Sequence, residues 1–204
     1  GDKVGKFRYN EDQYYTYRDF LINAVNSVKN FKGMKIILDT ANGAAYKIAS
    51  RVFYELGAEI VAINDKPNGT NINVKCGSTD MNILKKVVLG YEADLGLAFD
   101  GDADRLLAID DKGNKIDGDK IIALIAKDLK DQNKLKHNTV VTTVMSNMGF
   151  EKYLNDNGID LLRAQVGDRY VLEKMKEHNL NLGGEQSGHI VNSDYNTTGD
   201  GMLT

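Results

Sequence analysis

The chain has 204 residues, 42% of them hydrophobic, enough for one large or two small cored domains. Its 26 basic and 29 acidic residues leave a net charge of −3, which argues against a general nucleic-acid binder. No apolar run of about 18 residues occurs, so no membrane span is expected, and the polar start Gly1-Asp2-Lys3-Val4-Gly5-Lys6 has no signal-like apolar stretch.

Residues 14–28 place Tyr14, Tyr17, Leu21, Val25 and Val28 at helical spacing, and 34–39 is a short apolar strand. Asn42-Gly43 punctuates it. From Ala45 the positions Ile48, Ala49, Val52, Phe53 and Leu56 form one helix face, with Gly57 as its stop. Residues 59–63 read as a strand and 64–78, with the only proline, as a loop. Ser78 or Thr79 is expected to cap a helix carrying Met81, Leu84, Val88 and Tyr91. Strands follow at 94–99 and 106–109. A second series has a helix over 118–131 (Ile121, Ile122, Leu124, Ile125, Leu129), a strand over 139–144 and a helix around 150–154 ended by Asn157-Gly158. A strand at 159–162 and a helix at 170–177 come next, then two strands near 180–183 and 189–191. This alternation predicts α/β units with largely parallel sheets, divided near Asp110–Asp119.

The densest chemistry is Asp100-Gly101-Asp102-Ala103-Asp104-Arg105, directly after a strand. Alternate residues of an extended loop can aim three carboxylates at one point, and hard oxygen ligands suit Mg²⁺. A plain solvated acidic turn is the alternative. A calcium loop is excluded: its sixth position, which needs Gly, is Arg105, and its twelfth, which needs Glu, is Asp111. Arg105 beside the acids suggests an anionic substrate.

The turn Gly184-Glu185-Gln186-Ser187-Gly188-His189 joins a carboxylate, a hydroxyl and an imidazole. Glu185 and Ser187 can hold sugar hydroxyls and His189 can move a proton near neutral pH; the alternative is an ordinary hairpin. Val166-Gly167-Asp168-Arg169 lies between a strand and a helix and could face phosphate, or Asp168 could simply cap the helix while Arg169 is a surface charge. His137 and His178 read as surface residues. Cys76, the only cysteine, reads as a small packed side chain; it allows no internal disulfide and fits a cytoplasmic setting.

In order, Gly96–Arg105, Val166–Arg169 and Gly184–His189 resemble the α-D-phosphohexomutase superfamily, as do Asp39-Thr40-Ala41-Asn42-Gly43-Ala44 and Thr197-Thr198-Gly199-Asp200-Gly201. Within it, the Gly-Glu-Gln-Ser-Gly-His and Asp-Gly-Asp-Ala-Asp-Arg sequences are most similar to the branch acting on glucosamine phosphates. One departure is Asp80, where that branch usually has His after Cys76-Gly77-Ser78-Thr79. The resemblance implies two consecutive three-layer α/β/α domains with mixed, largely parallel sheets. Residues 1–12 are then a lead-in, 13–114 the second domain of a four-domain parent, and 115–204 its third, truncated at the C-terminus. Neither the phosphoserine loop of the first domain nor the phosphate loop of the fourth occurs here.

By the same resemblance the parent interconverts glucosamine 6-phosphate and glucosamine 1-phosphate through a phosphoserine and a bisphosphorylated sugar. Mg²⁺ is implied at Asp100, Asp102 and Asp104. Arg105 is implied as a catalytic and substrate-orienting group, Glu185 and Ser187 as sugar ligands, His189 as general acid or base, and Arg169 as a phosphate or catalytic-loop contact. The implied partners are a hexosamine phosphate and the remaining domains of the parent, with no nucleic acid and no membrane. A mutase for mannose or glucose phosphates, or a non-catalytic Mg²⁺- or sugar-phosphate-binding module, stays open.

Overall fold

A computed structural model describes residue 5, residues 11–24 and residues 30–204. Two sheets, each with helices on both faces, follow one another along the chain. The elements of the first half are α1 (Glu11–Ala24), β1 (Lys35–Asp39), α2 (Ile48–Glu55), β2 (Glu59–Ile63), α3 (Asn82–Gly90), β3 (Leu95–Phe99), β4 (Leu106–Asp110) and β5 (Lys115–Ile116). Its sheet has the order β2-β1-β3-β4-β5, parallel across β2-β1-β3 and antiparallel at β4 and β5. The second half has α4 (Gly118–Asp131), β6 (Thr139–Thr143), α5 (Met148–Asp156), β7 (Asp160–Ala164), α6 (Asp168–Glu177), β8 (Leu182–Gly184) and β9 (Ile190–Asn192). This sheet runs β7-β6-β8-β9, with β9 antiparallel to β8.

The three-layer arrangement follows from where the apolar faces go. In the first half, Leu21 of α1 and Ala49, Val52 and Phe53 of α2 pack with Ile36, Leu38 and Phe99 on one sheet face. Leu84 and Val88 of α3 cover Ile37, Ala98 and Ile109 on the other. In the second half, Ile122, Ala126, Phe150 and Leu154 of α4 and α5 bury Val140 and Leu182, while Val171 and Met175 of α6 bury Val141 and Val191. The predicted strands are buried on both faces, which is why they read as near-continuous apolar runs. Met202 and Leu203 return to the first core, packed with Leu21 and Leu106. Among the described residues no helix is long and apolar enough to cross a membrane.

Several local expectations change. Val25 and Val28 lie outside the described residues. Ser78 and Thr79 do not cap α3; they sit in a 3₁₀ turn, Gly77–Thr79, and Thr79 Oγ1 donates to the Cys76 carbonyl at 3.0 Å. The cap position is Met81, and Asp80 Oδ1 accepts the Asn82 N–H at 3.2 Å. The cause is Asp39, whose Oδ2 accepts the Gly77 N–H at 2.9 Å and turns the chain before the helix can start. Leu124 is 63% exposed because the buried stripe of α4 runs through Ile121, Ile122, Ala126 and Leu129. β5 was not foreseen, since two residues carry no periodicity. Cys76 is buried and unpaired as expected, with burial pushing its thiol up.

Asn181 tests how the second half is held. It is fully buried, its Oδ1 accepts the Lys136 N–H at 3.0 Å, and its Nδ2 donates to the Lys134 carbonyl at 2.9 Å and to Asp194 Oδ2 at 2.7 Å. Asn181→Ala should cost about 2–3 kcal/mol, because buried backbone groups lose their partners. Denaturant unfolding of the chain measures this.

Candidate active site

Asp100 leaves the carboxyl end of β3, the end at which open α/β sheets gather ligands. Asp100, Asp102 and Asp104 each offer an oxygen, and these lie within 4.8 Å of one another. Three negative groups this close oppose ionisation. Burial, and after it the charge of Asp104, pushes the Asp100 carboxyl up to about 6. The backbone turns through Ala103 at φ 62°, which brings the Arg105 N–H back to Asp100 Oδ1 at 3.2 Å. Arg105 Nε stands 3.7 Å from both Asp100 Oδ2 and Asp104 Oδ1, too far for a hydrogen bond. Among the described residues, Arg105 Nε and Asp104 Oδ1 are buried without a hydrogen-bond partner. An orphaned carboxylate oxygen inside an acid cluster is the site a cation would satisfy, and an all-oxygen donor set fits Mg²⁺.

The loop is braced from β1. Asp39 is fully buried and accepts the N–H groups of Ala41 at 3.0 Å and Gly77 at 2.9 Å, although burial pushes its carboxyl up. This shapes the turn through Ala41 and Asn42, both at positive φ, and lets the Ala44 N–H reach the Gly101 carbonyl at 2.8 Å.

The β8–β9 hairpin brings its turn against this loop. Leu106 N–H donates to the Gly188 carbonyl at 3.1 Å, and Gly118 N–H donates to the Gln186 carbonyl at 3.0 Å. Arg105 and His189 form an antiparallel bridge. His189 is buried, with Nδ1 2.9 Å from Asp104 Oδ2. An ionised carboxylate only accepts, so Nδ1 carries the proton and Nε2 is left for exchange. Glu185 Oε1 accepts the Gly167 N–H at 3.0 Å, and Ser187 Oγ lies 3.5 Å from Glu185 Oε2. Together the elements enclose a cleft of about 680 Å³ whose walls include Ser78, Thr79, Arg105, Lys115, Glu185 and Ser187.

The structure thus gathers Asp100, Asp102, Asp104, Arg105, Glu185, Ser187 and His189. Arg169 is not in the cleft wall: its side chain is 78% exposed and pairs with Glu173 at 2.8 Å on α6. Asp168 is not the cap of that helix either. Gly167 is, at φ 129°, and Asp168 Oδ1 instead accepts the Arg169 N–H at 2.7 Å. Ser78, Thr79, Lys115, Asp117, Thr143 and Met145 also line the cleft, and none was read as a site residue in the sequence, because they lie on separate turns and strand ends with no cluster of chemistry.

Comparison with known proteins agrees with this geometry. Phosphoglucomutase/phosphomannomutase alpha/beta/alpha domain II matches residues 15–113, and domain III of the same family matches residues 117–204. The chain belongs to the phosphoglucomutase/phosphomannomutase family. A phosphoglucosamine mutase of Fusobacterium nucleatum is 65% identical over the whole chain, which spans 45% of that relative's length. A phosphoglucomutase/phosphomannomutase family protein from Burkholderia thailandensis has a TM-score of 0.81 at 25% identity, over 93% of this chain and 41% of that one. An N-acetylphosphoglucosamine mutase of Aspergillus fumigatus, solved with GlcNAc-6P and magnesium, shares the fold at a TM-score of 0.69 and 22% identity, over 91% of this chain and 39% of its own. The family's domain II therefore carries the acid loop and domain III the Glu185–His189 turn, and the cleft lies where the two meet.

Proposed function

We propose that the chain is the metal-binding and sugar-binding core of a phosphoglucosamine mutase, which interconverts glucosamine 6-phosphate and glucosamine 1-phosphate. The observation that supports this most is the contact of His189 with Asp104 of the Asp100–Asp104 cluster, next to a cleft whose wall Arg105 shares with Glu185 and Ser187. The 65%-identical relative named phosphoglucosamine mutase supports the choice of sugar.

In this reading Asp100, Asp102 and Asp104 hold Mg²⁺, which supplies neutralisation of charge on a transferring phosphoryl group. Arg105 orients that phosphate with its guanidinium. Glu185 and Ser187 grip sugar hydroxyls, so that either phosphorylated end of the sugar can be presented. His189 moves the hydroxyl proton at Nε2, its ring held by Asp104 through Nδ1. Arg169 reaches the phosphate or its loop once Glu173 releases it. The phosphoserine that exchanges the phosphoryl group belongs to another part of the parent.

The pure 204-residue chain should therefore show no turnover, whereas a complete mutase containing it should turn over glucosamine 6-phosphate in preference to the glucose and mannose phosphates. Coupled assays of both proteins on the three substrates check this. Turnover by the isolated chain, or a preference for glucose or mannose phosphate, would sink it.

A further inference from the structure

The segment 196–204 leaves the second half and threads back under the acid loop. Its carboxylate, Asp200, is buried and is held from α1: Tyr17 Oη donates toward both oxygens, at 2.8 and 2.9 Å. Asp200 Oδ1 also accepts the N–H groups of Met202 at 3.0 Å and Leu203 at 3.1 Å, and so sets the turn that follows. The residues on either side press on the catalytic groups. A Cβ on Gly199 would fall 2.5–2.7 Å from Cε1, Nε2 and Nδ1 of His189, so the backbone itself is the floor under that ring. Gly201 N–H donates to the Ala103 carbonyl at 2.9 Å, and a Cβ there would fall 2.5 Å from the Arg105 carbonyl oxygen.

We propose that Asp200, anchored by Tyr17, is a positioning residue: it fixes the Gly199–Gly201 turn that seats the His189 ring against Asp104 and braces the backbone of the acid loop. Neither residue is in the cleft wall, and the Asp200 carboxylate bonds to Tyr17, Asn196 and the Met202 and Leu203 N–H groups. They act by denying the turn any other shape, since Asp200 satisfies two backbone donors and Tyr17 holds both of its oxygens. The consequence falls on His189, whose Nδ1–H to Asp104 bond needs the ring in one orientation. The proposal rests on reading His189 and Asp104 as parts of one reacting centre.

The test is nuclear magnetic resonance of His189 in the isotope-labelled chain, tractable because the sequence has only 3 histidines. The wild type should show neutral His189 as the Nδ1–H tautomer with a slowly exchanging ring proton. In Tyr17→Phe and Asp200→Asn that proton should exchange about tenfold faster or more, with the ring-nitrogen shifts moving toward the other tautomer, as expected for one weakened hydrogen bond. Asn181→Ala is the structural control: it should lower the melting temperature and leave the His189 signals in place. Should Asp200→Asn lose melting temperature while the His189 signals match the wild type, the proposal falls. If Asp200→Asn does not fold, Tyr17→Phe, which removes only one hydroxyl, decides by the same readout. The broader reading fails separately, through a complete mutase whose His189→Ala variant turns over normally.

Discussion

Exchanging Asp102 for alanine should cut turnover of a complete mutase carrying this segment by about two orders of magnitude or more, the scale of several kcal/mol of lost metal-borne charge stabilisation. The fold should hardly notice. Asp102 is the exposed member of the acid cluster, and its charge is one of the influences pushing the Asp100 carboxyl up. Removing it relieves repulsion between like charges, so unfolding of the metal-free chain should shift by at most about 0.5 kcal/mol, in the stabilising direction. Mn²⁺ titration of the chain should show the affinity loss directly. Unchanged metal affinity together with unchanged turnover would remove Asp102 from the ligand set.

The second large effect is structural. Gly188 sits at φ 95°, and a Cβ there would fall 2.3 Å from the Leu106 carbonyl oxygen, a backbone atom with no rotamer to move away. Gly188→Ala should cost about 3–5 kcal/mol, combining left-handed backbone strain with overpacking. The hydrogen bond from Leu106 N–H to the Gly188 carbonyl joins the halves, so the loss should appear at their junction. Gly69→Ala is the comparison: φ is 89°, but none of the described residues lies within 4 Å of an added Cβ, so only the strain, about 1–2 kcal/mol, should be felt. Denaturant melts of both variants decide. If Gly188→Ala loses no more than Gly69→Ala, the close approach does not hold the turn.

Legibility in the sequence followed locality. The helix expected over 118–131 is α4, because Asp117 caps it through the Lys120 N–H at 3.1 Å and its apolar stripe is strongly periodic. The strands showed as apolar runs because both faces of each sheet are covered. The acid loop and the Glu185–His189 turn were visible because their chemistry is contiguous in the chain. What failed depended on distant partners. The start of α3 is set by Asp39, 38 positions before Gly77, and no local pattern records that. Arg169 stands apart from these, as the exposed charge that the residues alone allowed, paired i,i+4 with Glu173. Asp119 was read only as part of a polar boundary. It is fully buried and accepts from Ser146 Oγ at 2.8 Å and from the N–H and Nδ2 of Asn147, both at 2.9 Å, which ties the start of α4 to the turn before α5.

Tyr17 and Asp200 are 183 positions apart, which makes their contact one of the costliest loops in the molecule to close. Contacts of such sequence separation must repay a large loop-closure entropy, so this one is expected to follow the local strand-helix units. During synthesis the first sheet and its helices emerge long before Met202, so the apolar hollow it fills, beside Leu21 and Leu106, stays open until the last residues of the segment arrive. The seat of His189 is completed in the same event. Packing of Met202 into the first core and closure of the floor under His189 thus rest on the same nine-residue segment, and a chain interrupted before Gly199 is expected to lack that floor.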